Sequence, residues 1–105
     1  MNNDLEDLKI YGKCYNLVLY TYNIVKKFPK CERLSLVNDI KNNTLEILKY
    51  IIIAQKEYDR NNRLEYLNKI DTTLKALKVM VRVSYKFKYI TSRNYGAWSR
   101  KITDV

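Results

Sequence analysis

Residues 37–58 read VNDIKNNTLEILKYIIIAQKEY and carry an apolar repeat with alternating steps of three and four. The positions of this repeat are Val37, Ile40, Thr44, Ile47, Ile51, Ala54 and Tyr58. A repeat of this kind is typical of a helix that packs along one seam against neighbouring helices. It predicts a long helix, the second in the chain, from about Lys30 to Tyr58.

The segment before this helix predicts a first helix with two apolar seams. It should begin near Asn3, because Asn3 and Glu6 have the spacing of a capping box, and Pro29 should end it. One seam holds Leu8, Tyr11, Tyr15, Val18, Tyr22 and Val25, and the other holds Ile10, Cys14, Leu17, Thr21, Ile24 and Phe28. The three tyrosines of the first seam are interpreted as residues at the edge of the core.

The segment after residue 58 predicts a third helix and a short fourth one. Residues 59–62 are interpreted as a turn, with Asn62 capping the third helix and Glu65 at its third position. The inner seam of that helix is Leu67, Ile70, Leu74, Leu77, Val81 and Ser84, and the helix can continue to about Ile90. Thr91 or Ser92 should cap the last helix, which contains Tyr95, Trp98 and Ile102.

These four helices are joined by connections of a few residues, which makes consecutive helices pack antiparallel. Residues 1–105 are therefore predicted to form a single domain, an all-α up-down four-helix bundle. Only two glycines and one proline occur in the chain, which argues against sandwiches and barrels that need many tight turns.

The composition makes most kinds of active site hard to build. The chain has no histidine and two cysteines. Zinc sites and Ser/His/Asp or Cys/His nucleophiles are therefore unavailable from one chain. We expect no catalytic residues, no metal and no cofactor. A small helical enzyme that uses Glu57, Asp59 or Asp71 is the weakest alternative, because no paired carboxylates stand at a recognisable spacing.

The two cysteines should not form a disulfide with each other. Cys31 lies at the turn after the first helix, and Cys14 lies about 20 Å before it along the helix axis. A disulfide requires Cα atoms within about 7 Å. Cys14 falls on an apolar seam and is interpreted as a small core residue.

No membrane segment is expected, because the longest apolar run, residues 51–54, is far shorter than the roughly 20 residues of a membrane span. The N-terminus lacks the cationic start and apolar core of a signal peptide. The expected compartment is the cytoplasm, where the cysteines stay reduced.

The net charge of +9 is distributed unevenly along the chain. Between Asp71 and Asp104 there is no acidic residue, while eight lysines and arginines occur there. Four of them lie in one direction on a helical wheel and form the basic stripe: Lys75, Lys78, Arg82 and Lys86. Arg93 returns to that direction if the helix continues past Ile90. Such a stripe predicts contact with a polyanion, and a solvated basic face is the alternative.

A second apolar seam flanks the basic stripe on the third helix. It consists of Ala76, Met80, Val83, Phe87 and Ile90. We predict that this seam contacts another subunit, although burial within the bundle is the alternative. Tyr85, Tyr89 and Tyr95 accompany the basic segment; stacking on bases is possible chemically, and packing within the protein is favoured.

The segment Phe28-Pro29-Lys30-Cys31-Glu32-Arg33, followed by Leu36, resembles small bacterial four-helix-bundle proteins. This group includes the protein encoded in the intervening sequence of large-subunit ribosomal RNA genes and the accessory variability protein (Avd) of diversity-generating retroelements. The tail Tyr95-Gly96-x-Trp98-x-x-Lys101-Ile102 and the long basic third helix look like those of the accessory protein.

The resemblance implies a pentameric barrel of four-helix bundles that assists mutagenic copying without catalysing it. It implies association with the reverse transcriptase of the retroelement and with template RNA. By analogy, nucleic-acid contacts fall on the basic stripe, with Arg93 beside it and Lys26, Lys27 and Lys30 as secondary candidates. RNA or DNA would be bound with little sequence preference. The alternative function is a protein-interaction scaffold that docks an acidic partner, as in the intervening-sequence relatives.

Overall fold

The computed structural model describes residues 4–105 and contains, within that range, four α-helices and no strand. The helices are α1 (Asp4–Ile24), α2 (Leu36–Lys56), α3 (Arg60–Lys86) and α4 (Ser92–Asp104). Each packs against its neighbours in sequence, and α4 also packs against α1, which closes the bundle. The all-α four-helix bundle is confirmed. The predicted cap at Asn3 lies outside the described residues.

The core is built from one seam of each helix. On α1, the buried seam contains Cys14, Leu17, Thr21 and Ile24. The other predicted seam is exposed at Leu8, Tyr11 and Tyr15 and becomes buried at Val25. On α2, the repeat from Val37 to Ala54 is buried as predicted; Tyr58 lies beyond the helix and is exposed. Trp98 and Ile102 bring α4 into the same core.

The polar groups in this core have partners. Trp98 Nε1 donates to Thr21 Oγ1 at 3.1 Å, which links α4 to α1. Thr44 Oγ1 donates to the Ile40 carbonyl at 2.7 Å, and Ser84 Oγ donates to the Met80 carbonyl at 2.8 Å. These hydrogen bonds offset the cost of burying hydroxyl groups among apolar side chains.

The inner seam of α3 is buried only in its second half. Leu77, Val81 and Ser84 are fully buried, whereas Leu67 is exposed. The reason is length: α4 has 13 residues and α3 has 27, so α4 covers about half of α3 at 1.5 Å per residue.

The predicted start of the second helix at Lys30 is wrong, because α2 begins at Leu36. After Pro29, residues Lys30–Glu32 form a 3-10 turn, in which the N–H of Glu32 donates to the Pro29 carbonyl at 3.0 Å. Ser35 then takes a non-helical conformation, and its hydroxyl donates to Glu32 instead of capping α2. Apolar periodicity begins only at Val37.

The predicted cap of the third helix at Asn62 is also wrong. The N-cap is Asp59, whose carboxylate accepts from the Asn62 N–H at 3.1 Å. Aspartate and asparagine are comparable N-caps, so residue type alone does not distinguish Asp59 from Asn62 as the start of the third helix. The predicted cap of the fourth helix at Thr91 is confirmed, since its hydroxyl accepts from the Asn94 N–H.

The third helix ends at Lys86, before the predicted end at Ile90, because a Schellman motif closes it. Lys88 has a φ of 64°, the left-handed conformation usually taken by glycine. The Tyr89 N–H donates to the Ser84 carbonyl at 3.0 Å, and the Lys88 N–H donates to the Tyr85 carbonyl at 2.9 Å. This turn directs Ile90 back into the core.

The prediction that Cys14 is a core residue is confirmed. Its side chain is fully buried, and burial raises the pKa of the Cys14 thiol to about 11. The thiol is therefore almost entirely protonated near neutral pH, which makes it a poor nucleophile. Cys31 is exposed, and neither cysteine is in a disulfide. None of the helices in residues 4–105 has the length and apolar character of a membrane span.

Candidate nucleic-acid interface

The basic stripe lies along an exposed side of α3. The side chains of Lys75, Lys78, Arg82 and Lys86 are all exposed, and the helix places them about one turn apart. Lys75 pairs with the acidic residue that precedes the stripe, because its Nζ lies 3.0 Å from Asp71 Oδ2. Both side chains of this pair are exposed, so the pair contributes little to stability and is readily exchanged for another anion.

Arg93 does not extend the stripe in the way predicted from a continuous third helix. The turn at Lys88 ends α3, and Arg93 lies in the first turn of α4. It is exposed there, close in sequence to the end of the stripe. The stripe therefore stops at Lys86, and Arg93 belongs to the end of the bundle.

Two connections meet at that end of the bundle. Residues 25–35 join α1 to α2, and residues 87–91 join α3 to α4. The Phe28 and Tyr89 rings pack with centroids 5.3 Å apart, and the Tyr89 hydroxyl donates to Glu32 Oε2 at 2.8 Å. These contacts fix the two connections side by side.

This convergence places seven cations at one end, which we call the basic end. Its members are Lys26, Lys27, Lys30, Arg33, Lys86, Lys88 and Arg93. Glu32 is the single carboxylate in the two stretches 25–35 and 86–93. Lys86, the last residue of α3, belongs to both sets, so the basic stripe meets the basic end there, and all of these side chains are exposed.

Glu32 is held as an anion by its neighbours rather than by the lysines. The Ser35 hydroxyl donates to Glu32 Oε1 at 2.7 Å, and this hydrogen bond, together with that from Tyr89, lowers the pKa of the Glu32 carboxyl. The same contact raises the pKa of Tyr89. Because both carboxylate oxygens accept hydrogen bonds, Glu32 is positioned to fix the connections, and as an anion it offsets one of the seven positive charges of the basic end.

Five of the eleven acidic residues lie toward the opposite end of the bundle. Glu6 and Asp7 lie near the start of α1, Glu57 and Asp59 lie between α2 and α3, and Asp104 ends α4. The molecule is 44 Å long, so the two ends are separated by several Debye lengths at physiological salt. A polyanion would therefore be steered to the basic end and away from the other end.

The tyrosines near this surface pack within the protein, as favoured from the sequence. Tyr85 stacks on Tyr95, with centroids 4.6 Å apart and planes 9° apart. Tyr89 packs on Phe28 and bonds to Glu32. These rings are therefore poorly placed to stack on bases, and the positive charge of the surface is the property that would attract nucleic acid.

Sequence reasoning selected the stripe and the lysines of the first connection but omitted Arg33, Lys88 and Lys41 from the candidates. The up-down topology carries the signal that could have found the first two, because the first and third connections of such a bundle lie at the same end. Lys41 lies one turn into α2, with its Nζ 4.8 Å from the Tyr22 ring centroid. Its placement depends on packing that the pattern alone does not show.

The residues of the predicted subunit seam on α3 differ in their burial. Ala76, Met80 and Val83 are partly buried, and Asn43 Nδ2 lies 3.5 Å from Met80 Sδ on the neighbouring helix. Phe87 is 62% exposed, whereas Ile90 is buried in the core and is unavailable to a second subunit. Packing against α2 therefore occupies part of this seam.

A larger exposed apolar face lies on α1. Its members are spaced by three and four residues: Leu5, Leu8, Tyr15 and Leu19, with Gly12 between them and Tyr11 beside them. Leu8 is 65% exposed and Leu19 is 49% exposed. Tyr11 and Tyr15 stack with centroids 6.3 Å apart, and nothing lies within 4 Å of a Cβ placed on Gly12. We call these residues the outer face of α1.

Within residues 4–105, no group of three or more Cys, Asp or Glu side chains is arranged to hold a metal ion. No curated protein matches the chain. A family model described as bAvd-like matches residues 8–105, from the first helix through the last described residue. The match covers both connections, the basic stripe and α4, and it confirms the resemblance to accessory variability proteins. The chain belongs to the bAvd-like family.

Proposed function

We propose that this protein is a non-enzymatic accessory factor of a diversity-generating retroelement that binds nucleic acid through its basic surface. The observation that carries the proposal is the merging of the basic stripe and the basic end into one exposed surface with a single, locally engaged carboxylate at the end. Family membership supports an accessory role beside a reverse transcriptase and its template RNA in mutagenic retrohoming.

The chemistry of this surface favours the phosphate backbone over the bases. Lysine and arginine side chains on a convex helix face contact phosphates without reading base edges. The tyrosines that could stack on bases are engaged with one another or with Glu32. Binding should therefore be largely independent of sequence and should accept both RNA and DNA.

Binding to RNA should fall steeply as salt increases, because each neutralised phosphate releases a counterion. Four to seven contacts from the stripe and the basic end correspond to a slope of roughly −3 to −5 in log K against log salt for a single strand. Fluorescence anisotropy of a labelled RNA across a salt series measures this slope. A slope near zero, or no binding at low salt, would contradict the proposal.

The alternative function is a scaffold whose basic surface docks an acidic protein. The charge of the surface suits both partners, and a salt series alone does not separate them. Competition does: RNA should displace a purified acidic protein partner only if both use the same surface. Failure of the protein to bind RNA while it retains the protein partner would favour the scaffold.

We also propose that the protein assembles with copies of itself, as a pentamer by analogy with the accessory proteins it resembles. The outer face of α1 supports this better than the α3 seam, because its three leucines are about half or more exposed to solvent. Gly12 lets a neighbouring helix approach closely there. Several neighbouring exposed apolar side chains on one helix face are typical of a contact surface.

Reversing the character of the outer face should dissociate the assembly without unfolding the bundle. Leu8→Glu together with Leu19→Glu places charges on a face that the subunit itself leaves exposed, so the helical circular dichroism should stay unchanged. Light scattering should then give a mass near that of one chain, 12.6 kDa. The matched change Val83→Asp tests the α3 seam. A wild-type mass of one chain would contradict self-association.

A further inference from the structure

A cleft lies between the first connection and the start of α2, apart from the basic stripe. It has a volume of about 310 Å³, well above the roughly 10–15 Å³ that holds one water molecule. Its lining consists of Val25, Lys26, Phe28, Arg33, Val37 and Lys41. Three of these six side chains are cationic and none is acidic.

The base of the cleft is apolar and belongs to the core of the bundle. Val25, Phe28 and Val37 are buried in the core. The Phe28 ring is held between Tyr89, at 5.3 Å between centroids, and Trp98, at 6.4 Å. A ligand therefore enters from solvent and stops at this apolar base, so that a chain end fits the cleft better than a continuing backbone.

The three cations are placed on different segments around the opening. Lys26 follows α1, and Arg33 follows the 3-10 turn, where its N–H donates to the Lys30 carbonyl at 3.2 Å. Lys41 lies on α2, with its ammonium 4.8 Å from the Tyr22 ring centroid. This contact with the ring restricts the Lys41 side chain and reduces the entropy that binding would cost.

The carboxylates nearest in sequence, Glu32 and Asp39, do not line the cleft. Both oxygens of Glu32 accept hydrogen bonds, from Ser35 and from Tyr89. Asp39 precedes Lys41 by two residues, which places it about 200° away around α2. The cations thus face an opening without a protein anion.

We propose that this cleft binds a phosphate monoester, the terminal phosphate of a nucleic-acid strand, with Arg33 and Lys41 as its specific contacts. A monoester carries nearly two negative charges at neutral pH, whereas a backbone diester carries one. Three converging cations therefore discriminate in favour of a strand end, and the guanidinium of Arg33 can contact two phosphate oxygens at once. The proposal rests on the proposed function, because it names the part of the nucleic acid that the basic end receives.

The test compares short RNA strands of one sequence with a 5′-phosphate, a 3′-phosphate or two hydroxyl ends, each binding to the full chain. We expect one phosphorylated strand to bind about fivefold tighter than the unphosphorylated strand, as one additional close charge contact supplies. Arg33→Gln with Lys41→Gln should abolish this preference, and because Arg33 belongs to the basic end it should also weaken binding of the unphosphorylated strand. The control Lys9→Gln with Lys13→Gln removes the same charge on α1 and should keep the preference.

Two competitors identify the recognised group. Adenosine monophosphate should remove the advantage of the phosphorylated strand, and adenosine should not. Equal affinity for all three strands, or a preference that survives in the Arg33/Lys41 variant, would overturn the proposal. If no strand binds, the proposed function fails on its own terms. Calorimetric titration with adenosine monophosphate then tests the phosphate site by itself. Binding that is lost in the Arg33/Lys41 variant supports the site, and absence of binding to the wild type refutes it.

Discussion

Trp98→Ala is expected to lower the free energy of unfolding by about 3–5 kcal/mol, the range observed when large buried aromatic residues are truncated. Trp98 is fully buried and packs with Tyr20 and Phe28, whose ring centroids each lie 6.4 Å from that of Trp98. Its indole N–H also donates to Thr21, which would lose this partner. Since small domains are stable by about 5–15 kcal/mol, the loss is a large fraction of the total.

Urea unfolding followed by circular dichroism measures this effect, with two comparisons. Trp98→Phe keeps much of the volume and removes the indole N–H, so it should cost less than the alanine change. Tyr58→Ala removes an aromatic side chain that is 98% exposed and should change stability by less than about 0.5 kcal/mol. An alanine variant at position 98 as stable as wild type would show that α4 is not part of the cooperative core.

The consequences of that change extend to the candidate interface. Trp98 supports Phe28, and Phe28 supports Tyr89, so the two connections of the basic end rest on α4 through aromatic contacts. A loosened α4 would free the relative placement of Lys26, Lys27 and Arg93. The stability of the fold and the geometry of the basic surface are thereby linked through one buried ring.

Periodicity predicted the helices of this protein because it reports burial directly. The repeat from Val37 to Ala54 is buried as expected, and so is the seam of α1 through Cys14 and Leu17. Helix ends depend on local hydrogen bonds that compete closely, and these were predicted less well. The observed N-cap of α3 is Asp59 and not the predicted Asn62. Lys88 has a left-handed conformation, which a lysine in the sequence does not indicate because glycine is the usual residue there.

The two seams of α1 show a second limit of pattern reasoning. Both are apolar and both have helical spacing, so the sequence does not say which one faces the core. In the structure the bundle buries the seam with Cys14 and leaves Leu8 and Tyr15 exposed. The unburied seam then becomes evidence about a partner rather than about the fold. Similarly, the cleft at Arg33 and Lys41 depends on side chains from three segments, which no single pattern contains.

Charge reversal on the basic stripe, Lys78→Glu with Arg82→Glu, is expected to weaken RNA binding by at least roughly 10-fold at low salt. Two phosphate contacts are lost and two repulsive charges are added, so the slope of log K against log salt should also fall in magnitude by about 2. Both side chains are exposed and have no acidic neighbour among the ion pairs seen in residues 4–105, so helical content should be unchanged.

A matched variant separates a surface effect from a general loss of charge. Lys9→Glu with Lys13→Glu has the same spacing, is equally exposed, and lies on α1 toward the acidic end. Each single reversal lowers the net charge by two, so both double variants lower it from +9 to +5. If only net charge matters, the two variants should bind RNA alike.

The most direct test of the account is therefore the dissociation constant of one labelled RNA for wild type and these two double variants at the same salt concentration. The proposed interface predicts that the Lys78/Arg82 variant binds at least roughly 10-fold more weakly than the Lys9/Lys13 variant, which should remain close to wild type. Equal affinities of the two variants, or wild-type affinity in the stripe variant, would contradict the placement of nucleic acid on the basic surface.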